Sequence, residues 1–199
     1  MSLKKTYVSN KNAEIKITSA QDNKTSVKFA AFLTSLTNSF SSNWSEEQVY
    51  GRIDPIGTFQ GTKRSINLGF DIIAYDEDEA RENIKNINMM TRMLYPSYND
   101  AKVKGGTGTN RNALILSKAP LVYIRFGNLI QEDGGDLLGW ISTWSANPVL
   151  DMGMFTPKAG EFLPKVYNAT LDFTPQHRKD LAFDRGSKVN PKFPYDGGS

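Results

Sequence analysis

The chain of 199 residues contains no cysteine and a single histidine, His177. Without cysteine it has neither a disulfide framework nor thiolate ligands for a metal ion. A single histidine argues against a hydrolase triad and against a histidine-rich metal site, and its place after the last strand-like segment predicts an exposed side chain. We therefore expect a protein that is not an enzyme and that binds no cofactor and no metal.

Long apolar runs are also missing from the sequence. No stretch approaches the ~20 apolar residues of a membrane-spanning helix. Residues 1–10 hold no apolar run, so we expect no secretory signal, no membrane contact and synthesis in the cytoplasm. A net charge of +3 neither requires nor excludes a nucleic-acid partner. An apolar content of 39% suits a single domain over residues 1–199 with a real core.

The sequence gives little support for a phosphate-binding loop, although two of its segments are rich in glycine. Residues 57–63 place three residues between the glycines, and Thr62 precedes the lysine, so the spacing of a Walker loop is not met. We interpret this segment as a turn that leads into a strand. Residues 99–112 hold the second glycine-rich stretch and read as a flexible loop. The acidic residues 77–79 and Glu82 suit a solvated helix start better than a cation site.

The clearest strand pattern covers residues 64–75 and runs directly into the clearest helix pattern, residues 76–94. Apolar and polar residues alternate in the first segment, as in a half-buried strand. Asp76 can cap the helix, and Glu79 three residues later completes a capping box. The inward strand positions are Ile66, Leu68, Phe70 and Ile72, and the apolar helix stripe comprises Ala80, Ile84, Ile87, Met90, Thr91 and Leu94.

Residues 27–44 fit two secondary structures. Their apolar residues fall at helical spacing, but Ser, Thr and Asn crowd the segment and compete with helix formation. We favour a long, partly exposed strand or hairpin arm and keep the helix as the alternative. Shorter strands are expected at residues 13–19, 113–116, 121–126, 137–145 and 165–173. Trp140, Ser142 and Trp144 should share one face of their strand.

The pattern as a whole predicts an α+β fold. Several antiparallel strands would form a sheet or small barrel, and the one long helix would pack on its outside. Polar residues 1–12 and the Pro- and Gly-rich residues 176–199 would be extended terminal arms.

One continuous segment of the sequence resembles a known protein family. Residues 49–72, VYGRIDPIGTFQGTKRSINLGFDI, resemble the tail-tube and tube-initiator proteins in the baseplates of contractile-tailed bacteriophages. Four later motifs follow in the same order, so that the resemblance covers about residues 40–175. These motifs are Met93–Pro96 (MLYP), Gly127–Ile130 (GNLI), Leu138–Ile141 (LGWI) and Phe162–Tyr167 (FLPKVY).

The resemblance implies a structural virion protein in the tail or baseplate. It implies a β-sandwich or barrel of tail-tube type, whose hairpins line a channel in a hexameric ring. The implied partners are further copies of the chain, other baseplate hub and tail-tube proteins, and phage DNA that passes transiently through the lumen. The candidate contacts between subunits are Tyr50, Gly51, Arg52, Asp54, Pro55, Phe59, Lys63 and Arg64.

A different class of function stays open beside this one. Trp140 and Trp144 could form a stacking platform in a stand-alone module that binds nucleic acid or glycan, helped by basic residues between 102 and 111. An enzyme built on carboxylates alone would need two convergent acids, and the sequence places no obvious pair.

Overall fold

The computed structural model describes residues 14–100, 114–178, 181 and 193–195. The predicted arm at residues 1–12 and most of the predicted loop at 99–112 lie outside these residues. The fold is α+β and mainly antiparallel, as predicted. Its strands are β1 (Ile15–Ser19), β2 (Ser26–Phe29), β3 (Ala31–Glu47), β4 (Ile56–Ile73), β5 (Ser97–Asp100), β6 (Leu114–Lys118), β7 (Leu121–Arg125), β8 (Leu137–Pro148), β9 (Met154–Phe155), β10 (Leu163–Pro164) and β11 (Val166–Pro175), with the helix α1 (Glu77–Met93) and a 3-10 turn at Leu150–Met152.

Seven strands form one antiparallel sheet in the order β2-β1-β7-β8-β11-β4-β3. The edge strands β2 and β3 are neighbours in sequence, with only Ala30 between them. Because two successive peptide units span at most about 7 Å, the sheet must curl until its two edges nearly meet there. Aromatic rings of β2, β4 and β8 meet inside this curl. The centroids of Phe29, Phe70 and Trp144 lie 5.9 to 6.2 Å apart.

The core confirms the alternation predicted for β4, and the neighbouring strand β11 also directs alternate residues inward. Each of the predicted inward residues of β4 is buried, and β11 pairs with β4 so that Leu171 lies opposite Leu68. Burying one such side chain stabilises the fold by about 1.5 to 3 kcal/mol. The fully buried residues that these two strands contribute are Ile66, Leu68, Phe70, Ile72, Ala169, Leu171 and Phe173.

The helix begins as its sequence predicts. The Asp76 side chain accepts a hydrogen bond from the Glu79 amide at 2.7 Å, and the Glu79 carboxylate accepts one from the Tyr75 amide at 2.8 Å. Met90 and Met93 enter the main core, whereas Thr91, predicted to lie in the apolar stripe, is exposed. In the described part of the chain, no helix is long and apolar enough to cross a bilayer.

Residues 27–44 form strands, so the helical alternative is wrong. β3 pairs with β4 from Ala31 opposite Ile72 to Glu47 opposite Ile56, and this pairing satisfies backbone groups that a helix would satisfy internally. The turn predicted at residues 57–63 is also wrong, because β4 already begins at Ile56. The two strands therefore make one hairpin with its turn at residues 48–55.

Trp140 and Trp144 lie on opposite faces of β8, which corrects the prediction of a shared face. The register with β11 shifts between Phe173 opposite Ile141 and Asp172 opposite Thr143, so that Ser142 is an extra residue. Such a bulge inverts the side-chain alternation beyond it. Trp144 consequently packs into the core while Trp140 is exposed. These two rings form no common stacking platform.

Candidate functional site

The β3–β4 hairpin projects beyond the rest of the sheet. β11 accompanies β4 only between Ile66 and Ile73, and no third strand flanks the remaining part of the hairpin among the described residues. Within residues 41–63, which we name the distal hairpin, every residue except Gly61 is exposed. Seven strand residues at about 3.4 Å each carry it roughly 24 Å outward.

An aromatic pair bridges the two strands of the distal hairpin. The register shifts after Asn43 so that Trp44 lies opposite Phe59 and Gln60 is the extra residue. The two rings meet edge to face with centroids 5.2 Å apart. Such a pair contributes about 0.5 to 1.5 kcal/mol beyond its burial. Trp44 is nevertheless 58% exposed and Phe59 53% exposed, so half of each ring stays available to a partner.

This aromatic face continues the inner face of the sheet. Leu68, Ile66 and Arg64 follow one another at alternate positions of β4, and Phe40 lies opposite Arg64. Directly opposed residues of two paired strands point to the same face of a sheet. Phe40, Trp44 and Phe59 therefore lie on the same face of the hairpin as Leu68, Ile66 and Arg64. This face is buried inside the curled sheet and is exposed to solvent along the distal hairpin. Exposed aromatic rings on such a face make it a candidate contact site for another protein.

The hairpin turn presents most of the residues proposed from sequence. Tyr50 and Ile53 are almost fully exposed at its apex, and Gly51 adopts a φ of +84° that favours glycine. Arg52, Asp54 and Pro55 are exposed beside them, and Phe59 and Lys63 are exposed along β4. One projecting element therefore unites seven of the eight predicted contacts. The sequence analysis missed Phe40, Trp44 and Ile53.

Arg64, the eighth predicted contact, is not a surface residue. It is 5% exposed, and its guanidinium lies between the rings of Phe40 and Phe193, 5.4 and 5.3 Å from their centroids. Its Nε donates a hydrogen bond to the Asn38 side chain at 2.9 Å. Burial lowers the pKa of Arg64. Residues near the C-terminus cover this position, and the local sequence around Arg64 gives no sign of them.

His177 is also covered, which corrects the prediction of an exposed side chain. Its ring meets that of Phe193 edge to face at 5.5 Å. Neither ring nitrogen has a hydrogen-bond partner among the described residues, and a carboxylate oxygen of Glu132 lies 3.7 Å from Nδ1. Burial and then the nearby charge of Arg64 lower the pKa of His177 below its ordinary 6.5, against the opposing pull of Glu132.

We predict that His177 makes the fold sensitive to mild acid. The unfolded chain takes up a proton near pH 6.5, whereas the folded chain takes it up only at lower pH. The unfolded state therefore holds more protons in that window, and the free energy of unfolding falls as the pH drops below 6.5. Urea unfolding between about pH 8 and about pH 5 measures this slope. His177→Gln should show a shallower slope, and equal slopes in the two proteins would refute the prediction.

No family model matches this chain, and no curated protein matches it. The Dit protein (gp 19.1) of SPP1, described as a hub adsorption apparatus in phages that infect Gram-positive bacteria, is a similar solved structure. Its identity is 11% and its TM-score 0.40, over 81% of this chain and 49% of that protein. This chain thus spans about half the length of Dit. The tail of an empty GTA particle with C6 symmetry matches at 8% identity and a TM-score of 0.35, over 83% and 92% of the two chains.

Proposed function

We propose that this protein is a structural subunit of a phage tail and that its copies associate into a ring through the distal hairpin. The observation that carries the proposal is residues 41–63, which leave the sheet with both faces exposed and with Trp44 and Phe59 uncovered. An isolated two-stranded ribbon is at best marginally stable in water. A neighbouring copy would give this ribbon the packing that the described residues of its own chain do not give.

The open edge of β3 supports the same proposal. β3 is 17 residues long and forms one edge of the sheet. Long exposed edges attract other strands, and a closed ring pairs or covers every such edge. Association in a ring would therefore remove two exposed features together, the free edge and the apolar face of the distal hairpin.

The finer assignment rests on the resemblance of residues 49–72. On that resemblance, the ring would belong to the baseplate of a contractile tail, as a hexamer that initiates or continues the tube around DNA. The chemistry of the distal hairpin suits a DNA-conducting wall. Three carboxylates and two cations within residues 41–63 leave a net charge of −1, so the segment offers no basic track to hold phosphates. Its other exposed polar groups are Ser41, Ser42, Asn43, Ser45, Gln48, Thr58, Gln60 and Thr62.

Reversing both charges at the hairpin turn tests the proposal. We expect Arg52→Glu combined with Asp54→Lys to raise the concentration for half-maximal assembly by about tenfold, which is 1.4 kcal/mol. The thermal midpoint should not change, because both residues are exposed. Light scattering over a concentration series measures the concentration for half-maximal assembly, and circular dichroism measures the thermal midpoint.

The control is Asp151→Ala, which removes an exposed charge outside the hairpin. This variant should assemble like the wild type. If the turn variant also assembles at the wild-type concentration, the turn is not a subunit contact.

A further inference from the structure

A short C-terminal segment lies on the base of the hairpin's inner face. The Phe193 ring packs edge to face on Phe40 with centroids 5.9 Å apart. The Tyr195 hydroxyl accepts a hydrogen bond from the Asn38 side chain at 3.2 Å. We name residues 193–195 the cover. The cover closes over Arg64 and separates it from solvent.

The cover buries the Arg64 cation, and no described carboxylate forms an ion pair with it. Nη1 and Nη2 of Arg64 are both buried, and neither has a hydrogen-bond partner among the residues that the structure describes. The Glu132 carboxylate, which acts on Arg64 from a distance, is bound by Arg178 through Nε at 3.0 Å and the backbone amide at 2.9 Å. These donors lose their hydrogen bonds to water, and the contacts with the Phe40 and Phe193 rings offset only part of that loss. The covered arrangement is therefore a poor final state for this guanidinium.

The cover occupies only the base of the hairpin's inner face and leaves the part farther from the sheet exposed. The Phe40–Arg64 pair lies four residues from Trp44 on β3, about 14 Å at strand spacing. A partner that docks on Trp44 and Phe59 and extends toward the sheet would meet the cover next. The cover and such a partner thus compete for one continuous surface.

We propose that the cover is displaced when a second copy docks on the hairpin, and that a carboxylate of this copy then pairs with Arg64. The proposal rests on the self-association proposed above. A second copy is the fitting occupant because the distal hairpin itself carries Glu46 and Glu47, both exposed and without an ion pair in the described part of the chain. Glu46 lies on the same face as Trp44 and Arg64. An arginine–carboxylate pair would satisfy both free Nη groups.

In this arrangement the cover restrains assembly. A chain binds its neighbour only in the fraction of time that the cover is open, and the apparent affinity falls by that fraction. The closed cover therefore limits the association of single copies. A ring, once formed, gains the arginine–carboxylate pair that a chain with a closed cover lacks.

Locking the cover tests the proposal in the full-length chain. Asn38→Cys combined with Tyr195→Cys introduces the only two thiols, because the natural sequence has none. A short bismaleimide can then join the cover to β3. We expect the unlinked double variant to assemble at a lower concentration than the wild type. Linking should raise its half-assembly concentration at least about tenfold. The Tyr195→Cys single variant treated with the same reagent controls for the chemical modification.

A second experiment tests whether the Glu46 carboxylate of one copy pairs with Arg64 of another. In the unlinked double variant, Glu46→Gln should weaken assembly, and it should have no further effect once Arg64→Gln is also present. Full additivity of the two changes would refute the pairing.

The outcomes separate the two proposals. If linked and unlinked chains assemble equally, the cover is no restraint, while self-association stands. If neither the wild type nor the unlinked variant associates at any concentration, self-association fails, and the displaced cover fails with it.

Discussion

Trp44→Ser combined with Phe59→Ser should raise the concentration for half-maximal assembly by at least about 100-fold, which is 2.7 kcal/mol. Exposed aromatic side chains at the centre of a contact dominate its binding energy. Both rings are half-exposed on a part of the hairpin that no third strand supports among the described residues. The thermal midpoint should fall by only a few degrees, because neither residue belongs to the core and the ring pair contributes only about 0.5 to 1.5 kcal/mol.

The matched control for this prediction is Phe162→Ser. Phe162 is an exposed aromatic residue outside the hairpin, so its loss removes one exposed ring from a different place. Sedimentation velocity compares the three proteins over the same concentration range. If Phe162→Ser weakens assembly as much as the double variant does, the effect is one of general surface hydrophobicity and not of the distal hairpin.

Gly139→Ala should destabilise the monomer by at least about 2 to 3 kcal/mol, since overpacking of a filled site costs this much. Gly139 lies on β8 where it faces β11. A Cβ atom at this position would lie 2.6 and 2.9 Å from two ring atoms of Phe173 and even closer to the backbone carbonyl of Thr174. The backbone carbonyl cannot rotate away, and the ring is fully buried.

Urea unfolding measures this loss, and Gly57→Ala supplies the control. At Gly57 the added Cβ would lie 3.5 Å from a ring atom of Trp44, an ordinary contact. We expect a change within about 0.5 kcal/mol there. Equal midpoints for Gly139→Ala and the wild type would show that β8 and β11 can separate at this point.

The parts of the fold that the sequence predicts are those with one buried face. In β4, Ile66, Leu68, Phe70 and Ile72 alternate with polar residues because the core lies on one side only. The helix start at Asp76 follows from local hydrogen bonding, which sequence spacing captures. Such signals are local, so neighbouring residues suffice to reveal them.

The β4 half of the distal hairpin escaped prediction for the opposite reason, although a long strand or hairpin arm over residues 27–44 was predicted. Residues 56–63 are exposed on both faces, so nothing imposes an alternating pattern, and their glycines suggested a turn. The bulges at Gln60 and Ser142 each invert the side-chain alternation, and such an insertion leaves no simple mark in the sequence. The turn residues, by contrast, were found through the resemblance of residues 49–72 and not through their chemistry.

The covered site was beyond sequence reasoning because its parts are far apart along the chain. Arg64 and Phe193 are separated by more than a hundred residues and meet only in the folded chain. Arg64 alone looked like one more polar residue of the hairpin. In the folded chain Phe40 and Phe193 enclose it, which changes its proposed role from an open contact to one that the cover restrains.

Light scattering with negative-stain imaging over a concentration series tests self-association through the hairpin most directly. The wild type should grow from monomers into closed rings as its concentration rises, and Trp44→Ser with Phe59→Ser should stay monomeric over the same range. The unlinked Asn38→Cys and Tyr195→Cys chain should form rings at the lowest concentration of the three. Monomers at every concentration, in the wild type and in this open-cover chain alike, would contradict the account.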